Sequence, residues 1–307
     1  MIRRRWHRRE STKGRAGLVV EPPGDDSGDM PPIILPSTPH AADPSVCARL
    51  HHALANDELE VHYQPLVALG SGLVCGLEAL ARWRHPTEGL LPAAAFIAQA
   101  EACGLVRELD DWVLQAVCRQ VADWQDDVLI APGFRVAVNM SGCEFVNDDM
   151  WRRMEEVMHM TGAHPGCLGI ELTETHRLAD LNAAQRNISC LQTLGVEVSL
   201  DDFGTAYATF NQLRLLPFNV LKLDRDITSA SGTAVGAAFI TAAVELARRL
   251  EIEVVAEGIE TQEEAALMRR FGCRRGQGYL WSRALPAAEV TALLVNGRFP
   301  CPDLLVP

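Results

Sequence analysis

The chain has 307 residues, 48% apolar and 22% charged, which is long enough to bury a full core in one domain of roughly 250 residues plus a tail. Its net charge is −12, but residues 1–15 carry +6, so the remainder stands at −18 and repels nucleic acid. No apolar run reaches the roughly 18 residues that a bilayer crossing needs, and the basic start MIRRRWHRRESTKGR lacks the apolar segment of a secretory signal. A cytoplasmic protein without a stable nucleic-acid or membrane partner is expected.

Residues 1–44 are rich in Pro, Gly, Ser and charge and are expected to form a disordered tail, with the folded domain over 45–300. From there, short β-branched or apolar runs alternate with helical patterns. Strands are predicted over 59–69 and 73–83, joined by a Gly-Ser-Gly turn. Helices follow over 92–104 and near 108–125, a strand over 134–141, a helix over 144–160 and a strand over 167–174. Helix 183–194 ends at Gly195, a suitable C-terminal stop. Strands 196–203 and 219–224 precede a helix over 233–251 with Val235, Phe239, Ala242, Leu246 and Leu250 on one stripe. Strand 252–260, helix 261–271, a short strand over 275–281 and a helix near Pro286 complete the series. Such alternation implies a parallel α/β sheet, and about eight strands in 250 residues favour a closed (β/α)8 TIM-like barrel. An open doubly wound sheet is the alternative, disfavoured because no G-x-G-x-x-G follows the first strand.

The nine cysteines are scattered with no C-x-x-C pair, so free thiols in a reducing compartment are expected. The nine histidines also lack metal-ligand spacing.

Polar residues recur where strands end: Asn139, Glu171, Asp201 with Asp202, Lys222, Glu257 and Gln277, at intervals of about 20–35 residues, one β/α unit each. Glu78, late in the second strand, joins them. A barrel delivers residues so spaced to one face. Clustered carboxylates repel unless a cation intervenes, and an all-oxygen donor set suits Mg²⁺ or Mn²⁺. Adjacent Asp201 and Asp202 let one carboxylate bridge two metals, the arrangement for in-line attack on phosphorus. The chain has two lysines, Lys13 and Lys222, against 26 arginines. A compact ammonium on the apolar strand LKLD is suited to holding an attacking water or stabilising phosphate charge.

At these residues the sequence closely resembles the EAL family of cyclic-di-GMP phosphodiesterases. Glu78-Ala79-Leu80 is the namesake motif, with YQP (63–65), VNMS (138–141), ELTE (171–174), DDFGTAY (201–207), LPFNVLKLD (216–224), AEGIE (256–260) and GQGYLWS (276–282) in order around it. The resemblance implies a barrel whose first strand is antiparallel to the rest, and hydrolysis of cyclic-di-GMP to linear pGpG. It implies Glu78, Asn139, Glu171 and Asp201 as ligands of a first metal, Asp201 and Asp202 of a second, and Glu257 as a further ligand or base. Lys222 is implied to orient the water and Gln277 to support it. Gln64 and Arg82 match substrate-holding positions, the latter for a phosphate, and Glu174 matches the glutamate that steadies the DDFGTAY loop.

A homodimer is also implied. The sequence departs from the family pattern at Ala206, Ala208, Phe210, Asn219 and Ala284, none of them a metal ligand; Ala206 replaces a loop glycine. A non-catalytic cyclic-di-GMP receptor and an enzyme for linear dinucleotides are the competing readings.

Overall fold

The elements run in the order α1 (Pro44–Ala55), β1 (Leu59–Ala68), β2 (Val74–His85), β3 (Gly89–Pro92), α2 (Ile97–Ala102), α3 (Val106–Asp126), β4 (Arg135–Met140), α4 (Gly142–Phe145), α5 (Met150–Thr161), β5 (Leu168–Thr173), α6 (Leu181–Leu194), β6 (Glu197–Phe203), α7 (Phe210–Leu215), β7 (Val220–Leu223), α8 (Arg225–Ser229), α9 (Ala234–Arg249), β8 (Glu253–Ala256), α10 (Gln262–Phe271), β9 (Arg275–Gly276), β10 (Leu285–Pro286) and α11 (Ala287–Val295). This computed structural model describes residues 44–173, 178–204 and 210–295. The chain divides into two units, Met1–Pro39 and His40–Pro307, and all described residues belong to the second. The predicted tail, but for Pro44 at the start of α1, therefore lies outside the described residues.

Eight strands close a ring in the order β1-β9-β8-β7-β6-β5-β4-β2 and back to β1. β1 is antiparallel to both of its neighbours. The other pairings round the ring are parallel. Closure settles the choice between barrel and open sheet. Parallel strands covered on both faces need near-continuous apolar runs, and β7 is buried at all four positions, Val220 to Leu223. Val138, Ile170, Val198, Leu200 and Leu221 meet the helix layer with no exposed surface. Each contributes about 1.5–3 kcal/mol by leaving water. Helix ends follow local rules: Asp180 caps α6 by accepting from the Asn182 and Ala183 N–H groups, and Gly195 closes it in the left-handed region. No described helix is long and apolar enough to cross a membrane.

Four expectations change. The helix predicted over 92–104 shrinks to α2, because β3 pairs with β2 as far as Pro92 and Phe96 is drawn into an edge-to-face contact with Trp83. The helix predicted over 144–160 splits into α4 and α5; Asn187 holds the break by donating to the Phe145 and Asn147 carbonyls. On α9 most of the apolar stripe faces outward, with Val235 81%, Phe239 43% and Leu250 42% exposed, although Leu246 packs against the core. Its inner face is Gly236, Ile240, Ala243 and Ala247. A methyl on Gly236 would overlap the Ala230 carbonyl, so close packing of small residues overrides hydrophobic periodicity there. Finally, the thiols are not all free, for Cys47 on α1 is bonded to Cys103 just after α2. The two lie 56 residues apart in sequence, a spacing that carries no pairing signal.

Candidate active site

Strand register alone assembles the inner wall. Paired residues on neighbouring strands point to the same side, and alternate residues of one strand share a face. Gln64 pairs with Glu78, and Glu78 with Ala137, two residues before Asn139. Asn139 pairs with Glu171, and Glu171 with Ser199, two before Asp201. Ser199 pairs with Val220, two before Lys222, and Lys222 with Val255, two before Glu257. Val255 pairs with Arg275, two before Gln277. All eight polar residues therefore share the inward face at the C-terminal ends of the parallel strands.

Glu78 is the hub. Its Oε1 accepts from Asn139 Nδ2 at 2.8 Å and its Oε2 from Gln277 Nε2 at 2.5 Å. The same Gln277 nitrogen also donates to Gln64 Oε1 at 3.1 Å, while Gln277 Oε1 is buried without a hydrogen-bond partner among the described residues. Lys222, 2% exposed, places Nζ 2.7 Å from both Glu171 and Glu257, 3.2 Å from Asp201 and 3.9 Å from Glu78. Burial disfavours its charge, but these four carboxylates outweigh burial and hold the ammonium well above the usual lysine range. Glu171 and Glu257 are pushed well above the carboxylate range by burial and by their acidic neighbours, and Asp201 is also raised, against the pull of Lys222. Burial pushes Glu78 up as well, yet Lys222, Gln277 and Asn139 hold it below its ordinary value.

Asp202 reaches the same site despite being next to Asp201. The β6–β7 register slips between Leu200 and Phe203, and Asp202 adopts φ 56°. Such a bulge breaks the alternation that would point adjacent side chains apart. Burial, then the Asp201 charge, raises Asp202 to about 6. Carboxylate oxygens of Glu78, Glu171 and Asp201 lie within 4.8 Å of one another, as do those of Asp201, Asp202 and Glu257. These are two overlapping oxygen clusters that share Asp201. A single lysine cannot neutralise five converging carboxylates, and Gln277 Oε1 adds an unpartnered acceptor. The donor set thus fits hard divalent cations.

Beside the clusters, a cavity of about 320 Å³ is lined by Ala79 to Ala81, Ala93, Ala94, Ile97, Glu101, Asp110, Asn139 and Asp202, among others. Arg82 lies half-buried at the same end of β2, donating to the Ala81 carbonyl. Gln64 donates to the Ser282 carbonyl. Glu174, Ala206 and Ala208 lie outside the described residues. Asn219, a departure from the family pattern, joins β6 to its surroundings, because its Oδ1 accepts from the Val198 N–H and from Gln192.

Two supports escaped the sequence reading. Asp110 on α3, 5% exposed, accepts from both the Ser141 N–H and its hydroxyl, fixing the turn after Asn139. Burial pushes Asp110 up to about 7, against those two hydrogen bonds. Because the folded pKa exceeds the unfolded one, the native state binds the extra proton, and stability from this group is present at low pH and lost as pH rises from about 4 to 7. Asp110→Asn should therefore gain on wild type by up to about 4 kcal/mol between pH 4 and 8, read from urea midpoints across that range. The second support is Gly278, which follows Gln277. A methyl there would overlap the Ile259 backbone, whose N–H donates to the Gln277 carbonyl. Gly278→Ala is expected to cost about 1–3 kcal/mol through this overlap, visible as a lower midpoint, and to displace Gln277.

Below the acidic mouth, Arg275 is 9% exposed and bonds Glu253 and Glu197.

A polar, acid-lined mouth on a barrel with one antiparallel strand defines a class, and comparison with known proteins agrees. The EAL domain family model matches residues 48–284, and the chain belongs to that family. It is 38% identical over 251 residues to the cyclic di-GMP phosphodiesterase NbdA of Pseudomonas aeruginosa, covering 81% of this chain and 32% of that protein. Identity to the oxygen sensor protein DosP of Escherichia coli is 34%, over 79% of this chain and 30% of that one. The chain spans about a third of the length of the first such relatives. Among solved structures, the phosphodiesterase PaMucR in complex with c-di-GMP superposes with a TM-score of 0.74 at 34% identity, covering 80% of this chain and 99% of that one. The EAL enzyme Bd1971, bound to cAMP and cyclic-di-GMP, gives 0.77 at 30% identity, over 81% and 68%.

Proposed function

We propose that this chain hydrolyses cyclic-di-GMP to linear pGpG in the cytoplasm, as a homodimer, using two Mg²⁺ or Mn²⁺ ions. The observation that carries the proposal is the convergence of Glu78, Glu171, Asp201, Asp202 and Glu257 with Asn139 and Lys222 at one mouth. Glu78, Asn139, Glu171 and Asp201 would hold one ion, and Asp201 and Asp202 the second. Such ions supply phosphate polarisation and an acidified water when bound.

The protein's own groups do the remainder. Arg82 pairs with a phosphate through its fork of N–H donors, and Gln64 helps to hold the dinucleotide. The apolar walls of the cavity, with Glu101 and Asp110, suit a base that donates hydrogen bonds. Lys222 steers the nucleophilic water and stabilises charge on the phosphate, Glu257 takes up a proton, and Gln277 Oε1 accepts from the water. Water oxygen bonds to phosphorus, the bond to O3′ breaks in line, and the departing 3′ oxygen receives a proton. Glu174 is assigned, through its family position, to steadying the loop after Gly204.

The test is incubation of the purified chain with cyclic-di-GMP and Mg²⁺ or Mn²⁺, following pGpG by chromatography. Tight binding without turnover in either metal would overturn the proposal in favour of a receptor. Faster cleavage of linear dinucleotides would overturn the substrate assignment. Light scattering at several concentrations tests the dimer.

A further inference from the structure

The hydrolytic chemistry leaves the Cys47–Cys103 cross-link unused, yet the bond sits against the mouth. β1 runs against its neighbours, with Leu59 opposite Trp83 at the C-terminal end of β2, so α1, which feeds β1, lies on the mouth side. Cys103 ends α2, its N–H donating to the Gln99 and Glu101 carbonyls. Ala93 and Ala94, with Ile97 and Glu101 of α2, line the same cavity as Asn139 and Asp202. α2 has six residues, too few to hold a helix without outside support. The support consists of Phe96 and Ala100 in the core and the covalent bond to α1, itself anchored by Leu50 and Ala53.

Both bonded cysteines are half-buried, within reach of a thiol reagent. The free thiols of Cys118 and Cys273 are buried and pushed up to about 12 by that burial, so they carry little thiolate for exchange. In a reducing compartment, cross-links are rare and usually reversible.

We propose that Cys47–Cys103 is a reversible thiol switch that sets the rigidity of the substrate-cavity wall. When oxidised, the pair clamps α2 to α1. A dithiol reductant opens it: one reductant thiolate attacks a cysteine sulfur, the S–S bond breaks, and a mixed disulfide forms. The second reductant thiol then attacks its own partner sulfur and displaces that same cysteine from the mixed disulfide. Two electrons and two protons pass to Cys47 and Cys103, and the reductant leaves as its own disulfide. The freed wall samples open conformations and captures the dinucleotide less well. The kinetic consequence rests on the phosphodiesterase reading; the change in wall rigidity does not.

The experiment uses the full chain, oxidised, then reduced with dithiothreitol, then reoxidised, together with the double variant Cys47→Ser/Cys103→Ser. Alkylation and peptide mapping should recover the Cys47–Cys103 peptide in the oxidised sample. Amide exchange over residues 96–103 should rise about tenfold on reduction and return on reoxidation. KM for cyclic-di-GMP should rise about threefold to tenfold with kcat changed less, and the double variant should match the reduced wild type if it folds. Equal exchange in both redox states, or no 47–103 peptide after oxidation, overturns the switch. Equal KM with altered exchange overturns the control of substrate capture. Absence of hydrolysis in every state counts against the phosphodiesterase reading instead, and the exchange measurement then decides the switch by itself.

Discussion

Lys222→Met should cost about 3–5 kcal/mol of folding stability at pH 8, because it strips the counter-charge from a buried acidic cluster while leaving the cluster in place. Nζ lies 2.7 Å from Glu171 and from Glu257, and 3.2 Å from Asp201. Methionine fills the space and supplies no charge. The orphaned carboxylates then rise further above their unfolded values. Their stabilising contribution is therefore complete at low pH and lost as pH climbs, so the gap from wild type should widen between pH 5 and pH 8. Saturating Mg²⁺ or Mn²⁺ should raise the urea midpoint of the variant more than that of wild type, since cations replace the missing charge. Cleavage of cyclic-di-GMP should fall at least about a thousandfold. A variant as stable as wild type at pH 8 would show that Lys222 is not the counter-charge.

Glu78→Gln separates chemistry from folding. The glutamate accepts from Asn139 with one oxygen and from Gln277 with the other. A glutamine has one acceptor and must turn an NH₂ group toward one of those donors. It loses about one hydrogen bond, worth roughly 1 kcal/mol, and relieves one of the mutually repelling charges. Stability should consequently stay within about 1–2 kcal/mol of wild type. With Glu78 in its proposed place as a metal ligand, turnover should fall at least about a thousandfold. Wild-type rates, measured by pGpG release beside circular dichroism of the same sample, would show that the metal site is misplaced.

Much of the site was legible because β/α units repeat at a regular interval and strand ends carry the polar residues. Glu78, Asn139, Glu171, Asp201, Lys222, Glu257 and Gln277 align by spacing alone. Asp110 does not, because it lies inside a helix whose pattern looks like ordinary amphipathicity; its partner, Ser141, comes from a different β/α unit. The α9 stripe misled for a related reason. Periodicity reports which residues are apolar, whereas Gly236 and Ala243 face inward because bulk is excluded there. Nor could the cysteine bond be read, since it depends on α1 folding back over α2, a contact between segments 56 residues apart.

The reversed first strand also determines where the chain enters the barrel. In an all-parallel barrel, the chain reaches its first strand at the face remote from the chemistry. Here β1 starts opposite Trp83 and Arg82, so the polypeptide arrives at the acidic rim. The segment that leads into β1, α1, and the α2 turn bonded to it through Cys47–Cys103 are therefore neighbours of the rim rather than of the barrel's far end.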